Sequence, residues 1–321
     1  MRFVVFGAGA IGGVVGGRLF EHGHDVVLIA RGAHRAAIAA SGLVLASPER
    51  EVTLPIPVVG TPGELEFGED DVVVLAVKSH QTADALSSLA ACAPRTTAIV
   101  CAQNGVDNER EALRRFPRVY GMCVMCPATH LVPGRVEASS TPISGIMDLG
   151  AWPSGTDDCS EAIAAALASS TFASESRADI ARWKWGKLLM NLGNAVEAVC
   201  GSDDRARELA SRARDEGRSC LQAAGIDVVA PDEDAARRGT LLTPRPVGDQ
   251  RRMGGSTWQS LTRATGSVET DYLSGEIVLL GRLMRFPTPI NERLQVLANE
   301  MAIRHEPPGS MTVAEVLAPL E

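Results

Sequence analysis

Short apolar runs and helical spacing alternate through the first half of the chain. Residues 2–6 (RFVVF), 25–30 (DVVLIA), 71–77 (DVVVLAV), 97–101 (TAIVC) and 119–125 (VYGMCVM) predict strands. These runs are apolar almost throughout, which marks strands covered on both faces, as in a parallel sheet with crossover helices. A helix-like segment runs from the glycine-rich residues 7–13 to about Glu21, and the runs 43–46 and 52–54 predict a hairpin. From about Ser160 the strand signal fades. Helical spacing then predicts helices at 158–170, 177–200, 204–224, 249–264, 268–285 and 288–304, with Gly225 as a C-terminal stop. Residues 226–248 carry proline and glycine and are expected to be irregular. The pattern predicts an α/β fold, a doubly wound sheet followed by an all-α C-terminal domain. The boundary falls within 150–178, near the turn residues Pro153, Ser154 and Gly155.

The strongest motif follows the first strand. Gly7-Ala8-Gly9-Ala10-Ile11-Gly12 fits GxGxxG directly after an apolar run and opens a helix. That context points to a Rossmann-type dinucleotide site. Gly7 permits the tight turn, Gly9 lets backbone approach a pyrophosphate, and Gly12 allows close helix–strand packing. The amides at the helix start then face the anion. At the end of the second strand an NAD site usually carries an acid for the ribose 2′-hydroxyl. This chain has Ile29-Ala30-Arg31-Gly32 instead. An arginine there suits a 2′-phosphate, so NADP(H) is favoured over NAD(H). Lys78, just past strand 71–77, is a second candidate cation for the adenosine phosphate, or a surface lysine. Asn104, in Gln103-Asn104-Gly105 after strand 97–101, fits either a contact to cofactor ribose or substrate, or plain turn chemistry.

In the helical half, Lys187, Asn191 and Asn194 fall at i, i+4 and i+7 and share one face, beside an apolar face of Leu188, Leu189, Leu192 and Val196. Two readings fit this polar stripe. It is a solvated face, or it lines a substrate cleft in which a lysine ammonium protonates a ketone oxygen and the asparagines orient the substrate.

Composition narrows the classes. With 321 residues and 45% hydrophobic content, the chain can bury a large core without disulfide or metal support. A net charge of −8 argues against a broad basic surface for DNA or RNA. No apolar run approaches the ~20 residues of a membrane span. The N-terminus is glycine-punctuated, lacks a clear cleavage site, and reads as strand and turn rather than a leader. The seven cysteines show no framework spacing and fit a reducing cytoplasm. Cys123 and Cys126 form a lone CxxC, either a metal or redox pair or two residues of a half-buried strand; no metal site is expected.

Taken together, the blocks GAGAIG at 7–12, Arg31, Val77-Lys78, Gln103-Asn104-Gly105, Lys187-Leu188 with Asn191, Ser256, and Glu269-Thr270-Asp271-Tyr272 with Gly275 resemble the ketopantoate reductases (2-dehydropantoate 2-reductases). The resemblance runs through nearly the whole chain, and the order and spacing of the blocks are more specific than any one. It implies an NADP-binding Rossmann domain over 1–165 and a helical substrate and catalytic domain over 166–321. It implies NADPH-dependent reduction of 2-dehydropantoate to (R)-pantoate in pantothenate biosynthesis, a cytoplasmic location, and a possible homodimer. Lys187 matches the proton donor to the keto oxygen, and Glu269 the acid that supports it. Asn104, Asn191 and Ser256 match substrate positions, with Asn194 the candidate for a further one. Arg31 and Lys78 match NADPH contacts, and Asn104 also lies near nicotinamide. Without the family, Glu269 reads as a first-turn helix acid behind Ser267, and Ser256 as a helix-start residue.

Two departures bear on substrate. The family commonly places its second asparagine eight residues after the lysine; here Asn194 is seven after and position 195 is Ala. Ser256 is followed by Thr257-Trp258 where a methionine is common. A divergent relative acting on another ketone or 2-keto acid is therefore an alternative. An opine- or 3-hydroxyacid-type dehydrogenase would call on His80 or His130. A non-catalytic NADP(H)-sensing protein would need neither Lys187 nor Glu269.

Overall fold

The computed structural model describes residues 1–248, 254–264 and 266–320. In chain order the strands are β1 (Arg2–Phe6), β2 (Asp25–Ile29), β3 (Leu43–Ala46), β4 (Glu51–Leu54), β5 (Val58–Val59), β6 (Asp71–Leu75), β7 (Ala98–Cys101), β8 (Val119–Met125), β9 (Ala128–Thr129), β10 (Arg135–Ala138), β11 (Ser140–Pro142), β12 (Gly145–Ala151), β13 (Phe172–Ala173) and β14 (Leu242–Pro244). The helices are α1 (Ala10–Glu21), α2 (Gly32–Ser41), α3 (Thr82–Ala90), α4 (Asn108–Leu113), α5 (Asp158–Ala168), α6 (Ile180–Cys200), α7 (Asp204–Ala223), α8 (Pro231–Arg238), α9 (Ser256–Thr262), α10 (Ser274–Met284), α11 (Pro289–Ile303) and α12 (Val313–Leu317). They divide into two compact units. One is Met1–Lys184 with Ala230–Arg252, the other Trp185–Val229 with Met253–Glu321.

The first unit is built on an eight-stranded sheet in the order β13-β12-β8-β7-β6-β1-β2-β5. Strands from β5 to β8 run parallel, and β12 is antiparallel to β8. Successive residues of each central strand serve opposite cores, as strand pleating demands. Phe3, Val5, Val72, Val74 and Val100 pack with Val14, Val15 and Leu19 of α1 and Ile163 and Leu167 of α5. Val4, Phe6, Val73, Leu75 and Ile99 pack with Leu86 and Leu89 of α3 and Ala112 of α4. Two-sided burial explains the unbroken apolar runs. The predicted hairpin forms as β3 and β4, which pair antiparallel.

The second unit is helical among its described residues. Its core joins Val196 and Val199 of α6, Leu209 and Ala213 of α7, and Leu294, Leu297 and Met301 of α11. Glu216 of α7 accepts from Ile290 N and Asn291 N at 3.0 and 2.8 Å, so a carboxylate closes the start of α11.

Several expectations are corrected. Residues 226–248 are only partly irregular, since they hold α8 and β14. Pro231 at the helix start, acids at 232–234 and Arg237 and Arg238 in the last turn supply the terminal signals for α8. The predicted helix 268–285 is broken at Leu273 (φ −117°, ψ −89°) into a short 3₁₀ turn at Thr270–Tyr272 and α10. Strand β12 is absent from the predicted set. Its Asp148, buried mid-strand, is answered by Arg177 Nε at 2.8 Å and by Arg237 Nε and Nη2 at 2.8 and 2.7 Å. Of the predicted helix 249–264, residues 249–253 lie outside the described residues, and α9 covers Ser256–Thr262. No helix among the described residues is long and apolar enough to cross a membrane.

Candidate active site

The sheet reverses its winding on either side of β1, with β2 on one flank and β6 on the other. In open α/β sheets this switch point is where ligands bind, beyond the carboxyl ends of the strands. The segments leaving that edge are stitched together. Gly7 N donates to Ile29 O at 3.0 Å, Ala76 N to Phe6 O at 2.8 Å, and Ala102 N to Leu75 O at 2.9 Å. The residues predicted to hold a cofactor leave these same strand ends.

Within the loop the glycines differ in what they do. Gly7 sits at φ +102°, where a Cβ would also come within 2.9 Å of Ala76 C and Val77 N. A Cβ on Gly12 would collide with the Gly7 carbonyl oxygen, so this position lets α1 rise steeply from β1. At Gly9, the N-cap of α1, a Cβ would meet nothing within 4 Å. That open space, beside the amides of the Ala10–Ile11–Gly12 turn, fits a pyrophosphate. Ala8 is buried beneath the loop.

Arg31 follows β2 and Ala30, and is exposed at the N-cap of α2. Arg35, one turn on, pairs with Glu64 at 2.9 Å. Lys78 is half-buried at the N-cap of the 3₁₀ turn Ser79–Gln81, and Asn104 is half-buried after β7. A buried amide network links the segments that carry the last two. Gln103 Nε2 donates to Val77 O (2.8 Å) and Thr82 Oγ1 (2.9 Å), Thr82 Oγ1 donates to Asn108 Oδ1 (2.8 Å), and Asn108 Nδ2 donates to Asn104 O (3.1 Å).

Beneath this network lies an ion pair that sequence reasoning missed. Lys184 Nζ lies 2.6 Å from Glu109 Oε1 and donates to Gln103 O at 3.0 Å and Met122 O at 3.2 Å. Both side chains are sealed from solvent, at 2% and 0% exposure. Burial pushes the Glu109 carboxyl up, and the Lys184 ammonium opposes that rise. Gly121 leaves room for the pair, since a Cβ there would stand 3.1 Å from Lys184 Cδ. One signal was available: Lys184 lies four residues from both Ile180 and Leu188, on the apolar face of its own helix.

In the helical unit, α6 carries Lys187, Asn191 and Asn194. Lys187 and Asn194 are half-buried and Asn191 is buried. Asn194 Nδ2 donates to Ser256 Oγ at 3.4 Å, and Glu197 Oε2 accepts from Gly255 N at 2.7 Å, so the start of α9 is tied to α6. Ala195, at the position where the second asparagine was expected by resemblance, is 3% exposed and packs in the helical core. Trp258, half-buried on α9, closes over Gly254. Glu269 is buried (8% exposed) at the N-cap of the 3₁₀ turn, not in the first turn of a long helix, because Leu273 interrupts the helical path. Burial lowers the Arg263 pKa, and the Glu269 charge acts against that.

His80 is exposed on the 3₁₀ turn after Lys78. His130 donates from Nδ1 to Arg135 O at 3.0 Å. Cys123 and Cys126 direct their thiols to separate carbonyls, Trp183 O and Ser144 O, and are not disulfide-bonded.

A parallel sheet with a glycine loop at its switch point, continued by a helical unit, is the architecture of two-domain nucleotide-dependent reductases and dehydrogenases. Residues 3–154 match the family described as ketopantoate reductase PanE/ApbA, and residues 179–302 match its C-terminal domain. The 2-dehydropantoate 2-reductase of Mesorhizobium japonicum is 30% identical, with 94% of this chain and 98% of that protein covered. That of Pyrococcus horikoshii is 29% identical over 92% of this chain and 96% of the relative. Among solved structures, a PanE/ApbA family ketopantoate reductase from Ralstonia eutropha superposes with TM-score 0.80 at 24% identity, covering 95% of this chain and all of that one. D-mandelate dehydrogenase with NADH and anilino(oxo)acetate also gives 0.80, at 23% identity, covering 95% and 99%. The chain belongs to the ketopantoate reductase family and is an oxidoreductase of that family.

Proposed function

We propose that this protein reduces a 2-keto acid with NADPH, and that the keto acid is 2-dehydropantoate, giving (R)-pantoate. The observation that carries the cofactor choice is the end of β2. There the exposed Arg31 stands where an NAD site would hold an acid, next to a glycine loop left open at Gly9. Family membership carries the reaction class.

When bound, NADPH supplies the hydride. The loop Gly7–Gly12 binds pyrophosphate through backbone amides, and Arg31 with Lys78 binds the adenosine phosphate. Asn104 orients the nicotinamide ribose or the substrate. Lys187 delivers a proton to the keto oxygen while Glu269 keeps the lysine charged, and Asn191, Asn194 and Ser256 orient the substrate. We place the enzyme in the cytoplasm and in pantothenate biosynthesis, as a homodimer by family resemblance.

A second reading rests on one residue. Asn194, not position 195, is the group that reaches Ser256, and a substrate site built on that shifted amide would suit another 2-keto acid. Initial rates of NADPH oxidation with ketopantoate, pyruvate, 2-oxoisovalerate and 2-oxoglutarate separate the two. Preference for ketopantoate establishes the first reading, and turnover of another acid alone establishes the second. Tight NADPH binding with no turnover of any would overturn both in favour of a sensing protein. In the same assay Arg31→Ala is expected to weaken NADPH by about 10- to 100-fold, the scale of lost charge-assisted hydrogen bonds, and to leave NADH nearly unchanged. Equal effects on the two cofactors would refute a 2′-phosphate contact.

A further inference from the structure

His34, on the first turn of α2, touches the dinucleotide loop from behind. Its Nδ1 accepts from Gly134 N at 2.8 Å, and its Nε2 lies 2.7 Å from Ala8 O. The backbone N–H can only donate and the carbonyl can only accept. The ring is therefore the neutral tautomer with its proton on Nε2, and it donates to Ala8 O. Both hydrogen bonds are short, and they tie the loop after β1 to the turn before β10. His130, from the segment between β9 and β10, lies against the same ring with centroids 4.1 Å apart.

The Ala8 carbonyl belongs to the same planar peptide unit as the Gly9 N–H. In a trans peptide these two groups point in opposite directions. Fixing the carbonyl towards His34 therefore aims the Gly9 amide away from it. Gly9 is the residue whose Cβ position opens onto empty space.

We infer that His34 is a positioning residue for cofactor binding: by holding Ala8 O, it sets the peptide plane that presents the Gly9 amide to the pyrophosphate of a nicotinamide dinucleotide. This rests on the NADPH reading above, because the pyrophosphate is the group so presented. A consequence follows for acid. An imidazolium donates from both nitrogens, so protonated His34 would set Nδ1–H against the Gly134 N–H donor. A second ring acts in the same direction: His130 faces His34 from the β9–β10 segment. The neighbouring arginines carry acid partners of their own, Arg35 with Glu64 and Arg135 with Glu51 and Glu137, and Arg31 is exposed at the N-cap of α2. Burial first, and His130 second, hold the His34 pKa below its ordinary 6.5, against the pull of Ala8 O. A histidine with a lowered pKa favours the clamped loop at neutral pH and gives up that contribution as pH falls.

The test is direct binding of NADPH to the full chain, read by fluorescence titration at about pH 8 and about pH 5.5, on either side of the ordinary histidine pKa. Wild type, His34→Ala and His34→Gln are compared, with thermal unfolding as the control for fold. His34→Ala is expected to raise the NADPH dissociation constant about tenfold at the higher pH, the scale of one lost buried hydrogen bond. His34→Gln, whose amide can both donate and accept, recovers most of that loss. The 2′-phosphate titrates equally in every protein, so the discriminating quantity is a difference. Wild type weakens several-fold more on acidification than His34→Gln does. A folded His34→Ala that binds NADPH like wild type, or a His34→Gln with the wild-type acid response, overturns the inference and leaves the NADPH reading intact. Wild type that binds no NADPH at either pH overturns the NADPH reading and the inference with it.

Discussion

Replacing Lys187 with alanine is expected to lower turnover by roughly 10²- to 10⁴-fold, the usual range for a lost general acid, while NADPH binds nearly as before. Lys187 lies on α6 one turn from Asn191, and the helical unit places Glu269 at a buried turn and Ser256 against Asn194. Hydride arriving at a keto carbon puts negative charge on oxygen, and an ammonium is the group of this set that can both stabilise that charge and surrender a proton. The loss should therefore fall on kcat rather than on the cofactor dissociation constant. The pH profile adds a second readout. If Glu269 supports Lys187 as proposed, its carboxylate favours the ammonium, so Glu269→Gln should move the alkaline limb of the rate to lower pH. Initial rates across pH, paired with NADPH titration, check both. Wild-type turnover in Lys187→Ala would remove the lysine from the mechanism.

The second large effect concerns stability. Lys184→Met is expected to destabilise the sheet-bearing unit by about 3–5 kcal/mol, because it strands a buried carboxylate. Three acceptors surround Lys184 Nζ, matching its three donors: Glu109 Oε1, Gln103 O and Met122 O. With the ammonium gone, Glu109 keeps no compensating charge in a pocket it shares with the buried thiol of Cys101, whose pKa burial and Glu109 both raise. For a unit of this size the loss corresponds to a fall of about 10 °C in the unfolding midpoint. The double variant Lys184→Met, Glu109→Gln removes both charges and should recover most of the difference. A single variant that melts with wild type would show that the pair contributes nothing.

Much of the fold was legible because its central strands are buried on both faces. Runs such as Val72-Val73-Val74 need no alternation and stand out against the polar loops. Strand β12 was not legible. Asp148 interrupts its apolar pattern, and the arginines that neutralise it lie 29 and 89 residues away. Helix α8 is marked at both ends by Pro231, its acids and its arginines, but proline and glycine in the surrounding segment give a stronger loop signal. The site divides in the same way. Gly7–Gly12, Arg31, Lys78 and Asn104 follow strand ends, and strand ends can be found locally. His34 and the Lys184–Glu109 pair gain meaning only from groups brought across 26 to 100 residues of chain.

The return of residues 230–248 to the first unit has a consequence for how the protein is made. Strand β14 pairs with β11, and Arg237 shares Asp148 with Arg177. During synthesis the sheet-bearing part emerges first, yet its last strand and half of the cation set on Asp148 are still untranslated. They arrive only after the segment 185–229 of the helical unit has left the ribosome. Until then Arg177 is the one arginine of this pair that has been made, and the full set of contacts on Asp148 waits for a point late in the message.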